Sequence, residues 1–410
     1  MKFIEIALNY KLQKALKDLD YKEATQVQEL TIPPILKGKD VMARAKTGTG
    51  KTAAFALPIL NNLIDNEEPR YISALILAPT RELVQQIHNS FVNYGKYTDI
   101  KVEAVYGGVS INPQIKCVKQ GLNILIATPG RLLDLANNHQ LNLERVNTLI
   151  LDEADRMLDL GFKAELDQVF ERIPTLKQTL LFSATFDDEI YKFSKSHLSN
   201  PEAITVDEKN QTADNVEQTV YTLDSDRKRE FISYLIGSKN WQQVLIFTRT
   251  KKMADSLAKE MCKDGIKTQS LHGDKSQGAR DKALSDFKSG QIRALVATDV
   301  AARGIDINDL GHVINFELPY VAEDYVHRIG RTGRAGKVGV AISLMAPEEE
   351  WLLIAIEKLL DIRLLQQWFP GYEPDLTKSI KPKRTVGKNK ERKKALSNNK
   401  EGARRNKNRR

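Results

Sequence analysis

Residues 41–60 read VMARAKTGTGKTAAFALPIL: a short apolar stretch, a turn with two glycines, then a run apolar enough to be a buried helix. Strand, glycine turn and helix in that order are what a phosphate-binding loop requires. Gly48 and Gly50 let backbone N–H groups curl round phosphate oxygens, and the helix that follows turns the positive end of its dipole on the same point. In such a loop Thr47, Gly48, Thr49 and Gly50 line the phosphates of a nucleotide, Lys51 neutralises the β and γ groups, and the Thr52 hydroxyl ligates Mg²⁺. Ala45 stands where the pattern has its first glycine, while the closing Gly-Lys-Thr is intact.

On either side of this loop, from about residue 30 to 205, short apolar runs alternate with helical stretches; Ala74 to Leu77, Ile124 to Ile126, Leu149 to Leu151 and Thr179 to Phe182 are the candidate strands. Such alternation predicts an α/β fold with a parallel sheet. The run Thr148 to Leu151 ends in Asp152-Glu153-Ala154-Asp155, so two carboxylates fall at the carboxyl edge of that sheet, where open α/β folds bind ligands. Asp152 is the candidate for holding Mg²⁺, through water, and Glu153 for orienting and deprotonating the water that attacks the γ-phosphate. Residues 206–217, VDEKNQTADNVE, are polar and aperiodic, and the alternation then resumes with candidate strands at Val244 to Phe247, Ala294 to Ala297, Val313 to Asn315 and Val338 to Leu344. The reading is two domains, 1–205 and 217–375, a linker over 206–216 and a tail over 376–410.

Composition agrees. A chain of 410 residues is too long for one core, and 41% apolar with 28% charged residues is the balance of a globular protein with no membrane-length apolar run. No export signal is legible at the N-terminus, and Cys117 and Cys262 are too few for a disulfide framework, so a reducing cytoplasm and buried free thiols are expected. The net charge is +9, but Lys378 to Arg410 holds 15 Lys and Arg against two Glu, a local +13, leaving 9 − 13 = −4 for the rest. Such a tail is an electrostatic arm for nucleic acid, for anionic lipid or an acidic partner, or a disordered solubilising segment.

Asp152 to Asp155 spell the motif that names the DEAD-box RNA helicases, and the chain resembles that family from its N-terminal segment to about Leu344. In order stand Ala24-Thr25-Gln26-Val27-Gln28, the phosphate loop, Pro79-Thr80-Arg81-Glu82-Leu83, Gly107-Gly108, Thr128-Pro129-Gly130-Arg131, the acidic run and Ser183-Ala184-Thr185. The resemblance implies two tandem RecA-like domains that close on ATP and single-stranded RNA, followed by a disordered basic tail. It implies that Gln28 reads the adenine edge, that Tyr21 stacks on the adenine face and that Phe3 braces this segment. Asp20-Tyr21 and Ala24-Thr25 depart from the family's usual Gly-aromatic and Pro-Thr pairs. Arg81, Gly108, Thr128 and Arg131 are implied to contact the RNA backbone, and Ser183 and Thr185 to couple the ATP and RNA sites.

Later, Ile246 to Thr250, Gln277 to Arg280, Thr298 to Asp306 and His327 to Arg334 match further family motifs. There the likeness implies Arg331 and Arg334 as arginine fingers, His327 near the γ-phosphate, Asp306 on the ribose, Arg303 over the adenine, and Thr248, Arg280 and Thr298 on RNA. The implied activity is RNA-dependent ATP hydrolysis that opens short duplexes or remodels RNA–protein complexes, in a monomer by default, in the compact bacterial branch of the family. An RNA clamp without turnover, a DNA translocase and an adaptor built on the basic tail are the rival readings; the first and third leave Lys51, Glu153, Arg331 and Arg334 without a use. Deleting Lys378 to Arg410 is expected to weaken RNA binding and flatten its salt dependence while sparing the RNA-independent ATPase. Titrations of both proteins against RNA at several salt concentrations check this, and an unchanged slope makes the tail a solubility element.

Overall fold

Short strands such as β2 (Ala74–Leu77), ALIL, and β4 (Ile124–Ala127), ILIA, are apolar and buried along their whole length. That is the mark of parallel strands covered by helices on both faces. The computed structural model describes residues 2–45, 48–64, 71–138, 140–206, 216–302, 310–333, 338–375 and 377. Thr47, Arg303, Asp306, Arg334, most of the expected linker and the basic tail lie outside them.

Among the described residues the strands form two seven-stranded sheets, and every strand pairing within them is parallel. The first holds β2, β4, β1 (Val41–Arg44), β3 (Val102–Val105), β5 (Thr148–Leu151), β6 (Gln178–Ser183) and β7 (Glu202–Thr205), in the order β3-β4-β2-β5-β6-β1-β7. The second holds β8 (Val216–Thr222), β9 (Val244–Thr248), β10 (Thr268–Leu271), β11 (Ala294–Thr298), β12 (His312–Asn315), β13 (Gly339–Met345) and β14 (Leu365–Gln367), in the order β10-β11-β9-β12-β13-β8-β14. Adding seven to each strand number of the first sheet gives the order of the second, so one topology is used twice.

The second copy differs where the first carries its phosphate loop. β1 leads through Gly48 and Gly50 into the helix Lys51–Leu63, and β8 leads through Leu223 to Arg227, without glycine, into the helix Lys228–Ser238. Each helix starts on a buried lysine. Lys228 is closed off by its own chain: its Nζ donates to the Leu344 carbonyl at 2.8 Å and to the Glu349 carboxylate at 2.6 Å, and Arg249 pairs with the same carboxylate.

Helices cover both faces of each sheet, with one apolar cluster around Phe55, Phe91 and Phe182, another around Leu75, Leu149 and Met157, and three more in the second half. Val206, just past β7, and Val216, the first residue of β8, fall within the residues read from sequence as linker and are buried in the apolar clusters of the first and second halves. The thiols also differ from expectation: Cys117 is half-buried and Cys262 exposed, since both stand on the outer sides of helices.

Among the described residues one charged side chain is buried deeper than the other charged ones. Arg328, 1% exposed, donates to both Asp299 oxygens at 2.6 and 2.8 Å, to Asn315 Oδ1 at 3.1 Å and to the Glu317 carbonyl at 2.6 Å. It ties the helix Ala322–Ile329 to the carboxyl ends of β11 and β12. Arg328→Ala leaves Asp299 without its cation, and a cost of about 3 to 5 kcal/mol is expected. Denaturant titration measures it; a loss under 1 kcal/mol removes Arg328 from this structural role.

Candidate functional site

Gly48 and Gly50 have φ of 86° and 92°, the left-handed region that glycine adopts without strain. At Gly50 a Cβ would also lie 2.4 Å from Gln28 Nε2. Gln28 is 2% exposed; its Nε2 donates to the Gly50 carbonyl at 3.0 Å, and its Oε1 accepts the Thr25 N–H at 2.9 Å. One amide N–H and one lone pair remain for a base. Thr25-x-x-Gln28 is thus a capping arrangement at the start of the helix Gln26–Leu36, a pattern legible in the sequence but missed there. Tyr21 stands edge-on to Phe3 and Tyr94, with ring centroids 5.6 and 6.0 Å away, and lines a hollow of about 880 Å³ with Phe3 and Lys14.

Beyond β5, Glu153 sits at φ 52°, ψ 51°. A left-handed backbone is costly for glutamate, and it turns the chain sharply between strand and helix. β6 lies between β5 and β1, and its end joins the two sites: the Ser183 carbonyl accepts from Ala45 N at 3.0 Å. Asp155 Oδ2 accepts the N–H groups of Ala184 and Thr185 at 3.0 and 3.1 Å and the Thr185 hydroxyl at 3.3 Å, while Ser183, fully buried, accepts the Thr185 N–H at 3.3 Å. The acidic run and the Ser-Ala-Thr turn are therefore one hydrogen-bonded unit. Sequence reading gave Asp155 no task, although its place three residues after Asp152 on a strand-to-helix turn is a signal.

A cavity of about 510 Å³ opens between the two sheets. Lys51, Glu153, Asp155, Arg156 and Thr185 line it from the first, and Glu323, Asp324, His327 and Arg331 from the second. Lys51 and Arg331 are 6% and 5% exposed. Lys51 Nζ, Glu153 Oε2 and two nitrogens of Arg156 are buried with no hydrogen-bond partner among the described residues. Charged groups left this way suit a charged ligand. Arg156 was not singled out from sequence; its acidic neighbours Glu153, Asp159, Asp299 and Asp155 become visible only in the fold.

The expected RNA residues divide. Arg81 spreads its guanidinium over Gly108, where a Cβ would come within 1.9 Å, and Nη1 donates to Gln277 Oε1 at 3.3 Å. Thr128, just past β4 at the start of the helix Pro129–Asn137, and Thr298, the last residue of β11, are 9% and 6% exposed. Arg131 donates to Gln114 Oε1 and the Val109 carbonyl, both at 3.1 Å, and so holds the loop that presents Gly108. Two further residues expected on RNA have partners within the chain. Thr248 is fully buried at the end of β9, with its hydroxyl donating to the Thr250 carbonyl. Arg280, 7% exposed, is ion-paired at 2.7 Å with Glu82 of the first half, so its guanidinium joins the halves.

The residues fit a magnesium-bound nucleotide. Among the described residues no group of three or more His, Cys, Asp and Glu makes a cage. Mg²⁺ at nucleotide sites is held by one or two protein groups together with phosphates, so a cage is not required. Burial pushes the Asp152 carboxyl up to about 6, against the pull of Lys51 and with the push of Glu153. A carboxyl whose folded pKa lies above its unfolded one helps the fold most below pH about 4, and that help is lost as pH rises through about 6, where the buried charge costs up to about 3 kcal/mol. Asp152→Asn is therefore expected to raise the melting temperature of the nucleotide-free protein at pH 8, with a smaller gain at pH 5. Thermal melts at both values check the sign.

Comparison with known proteins reaches across both sheets. The DEAD/DEAH box helicase family model matches residues 25–193, and the helicase conserved C-terminal domain model matches residues 227–336. The ATP-dependent RNA helicase CshA of Limosilactobacillus reuteri is 44% identical over 365 residues, 89% of this chain and 73% of that one. The DEAD-box ATP-dependent RNA helicase CshA of Bacillus subtilis is 41% identical over 87% of this chain and 72% of its own. Among solved structures, S. cerevisiae Dbp5 bound to RNA and ADP BeF3 superposes with a TM-score of 0.80 at 32% identity, covering 90% of this chain and 95% of that one. Mss116 bound to ssRNA and UDP-BeF gives 0.80 at 30%, covering 91% and 80%. Because the likeness runs through both halves and extends well beyond the phosphate loop, the chain belongs to the DEAD-box family of ATP-dependent RNA helicases.

Proposed function

We propose that the two RecA-like halves close on ATP and a single RNA strand, that closure completes the hydrolytic site, and that hydrolysis releases the strand after a short duplex or an RNA–protein contact has been opened. The observation that carries this is the shared cavity: Lys51 and Glu153 from one sheet face His327 and Arg331 from the other. Lys51 and Arg331 stabilise the charge that spreads over the γ-phosphoryl oxygens, and Glu153 accepts the proton of the attacking water. Thr52 and Asp152 would hold Mg²⁺, which would supply charge neutralisation for the phosphates. Gln28, with one N–H and one lone pair in reserve, reads the adenine, and Tyr21 offers its ring. Thr47, Asp306 and Arg334, outside the described residues, keep the roles the family likeness gives them.

On the RNA side Arg81, Gly108, Thr128 and Thr298 supply a positive charge, a bare backbone and hydroxyls, groups that bind sugar and phosphate and carry little sequence information. Arg131 acts as a positioning residue for Gly108. The Asp155–Thr185 bonds give Ser183 and Thr185 a physical route for coupling, since the unit touches the phosphate loop through Ala45 and the catalytic carboxylate through the acidic run. No helix among the described residues is long and apolar enough to cross a membrane. We place the protein in the cytoplasm, with the domain division near residues 206 to 216.

Steady-state ATP hydrolysis with single-stranded RNA, with matched DNA and without nucleic acid is the test. RNA is expected to stimulate turnover and DNA to do little. Glu153→Gln, which keeps the shape and loses the base, is expected to bind both ligands while turnover drops at least ~100-fold. Near-normal turnover in that variant moves the base elsewhere, and the absence of hydrolysis in the wild type favours an RNA clamp.

A further inference from the structure

The helix Glu350–Leu360 reads EWLLIAIEKLL and is apolar on both sides. Its inner residues Leu352, Leu353, Ile356 and Leu360 are buried in the second half's core. Its outer side holds Trp351 and Ile354, each 54% exposed, with Leu359 at 42% and Ile362, just past the helix, at 44%. Single exposed apolar residues need no explanation, but neighbours on one helical face mark a contact surface. Trp351, Ile354 and Lys358 follow each other at three and four residues, so they form one stripe. Glu350 stands at one end of this face and Lys358 toward the other, both exposed and neither ion-paired within the chain among the described residues. Eight residues of helix, about 12 Å, keep them from meeting each other.

The geometry points to a second copy of this chain as the occupant: two Glu350–Leu360 helices packed antiparallel about a twofold axis near Ile354. Position 354 lies midway between 350 and 358, so the axis brings each Lys358 against the Glu350–Trp351 turn of the other copy. There the ammonium meets a carboxylate and an indole face, both favourable. Ile354 meets Ile354 at the centre, and both Trp351 rings leave water. The surface is its own complement, as a twofold contact requires; a different protein has no need of an acid and a base set symmetrically about the apolar centre. Three turns of helix bury less than about 1,200 Å² in total, the low end of specific interfaces, so the pair forms reversibly and at micromolar or higher concentration.

Sedimentation of RNA-free full-length protein from ~1 to ~200 µM, a span suited to small interfaces, tests this. The mass is expected to climb from one chain toward two. Trp351→Glu is expected to hold it at one throughout. Lys358→Glu should weaken pairing by about 10-fold, through two lost attractions and two new repulsions, and the double reversal Glu350→Lys with Lys358→Glu should restore it. All three positions are exposed, so the variants keep the fold, and thermal melts check that they do. A single-chain mass at every concentration overturns the proposal and leaves the face to a different protein. Pairing that survives Trp351→Glu, or that the double reversal fails to restore, overturns it too.

Discussion

Glu82 and Arg280 come from different halves of the chain, and both side chains are more than nine-tenths buried in the ion pair they form. Removing two charges from water is expensive, and attraction at 2.7 Å repays it only while the geometry holds. Apart, both groups regain water and lose little. A contact between the halves that rests on such a pair gains little by it, so a ligand touching both halves has little to overcome. Arg81, next in sequence to Glu82, reaches across to Gln277 and lies over Gly108, so closure and the expected RNA surface share the same few residues. By linkage, whatever binds on one side of that contact favours binding on the other.

The nucleotide side is built in advance. Left-handed backbone at Gly48, Gly50 and Glu153, a buried lysine with no partner among the described residues, and a carboxyl held near its proton are arrangements an isolated fold avoids. Their cost is carried by strands buried on both faces, and they are compensated when a polyanion with its cation arrives. Arg328 serves the opposite half in the same way, fixing the helix that carries His327 and ends just before Arg331.

Much of this was legible from sequence. Alternating apolar runs marked two parallel sheets, and the glycine turn and acidic strand end marked residues that line the cavity from the first, because both are short contiguous motifs. The contacts that make two halves into one site were not legible. Glu82–Arg280 joins positions far apart in sequence, and nothing in either motif separates a guanidinium meant for phosphate from one meant for carboxylate. The burial of Thr248 was not legible for a related reason: a threonine ending a strand looks the same whether it faces a groove or the core. Gln28 was assigned by likeness to the base, while its capping of Thr25 and its bond to Gly50 fix it in place beforehand.

The repeated topology has a final consequence. Lys228 begins a helix where Lys51 does, one sheet later, but a carboxylate from its own chain already fills the place that a phosphate would take. The second half thus answers its own buried lysine with an internal anion, and two copies of one sheet topology differ in whether the lysine that opens the helix is already paired.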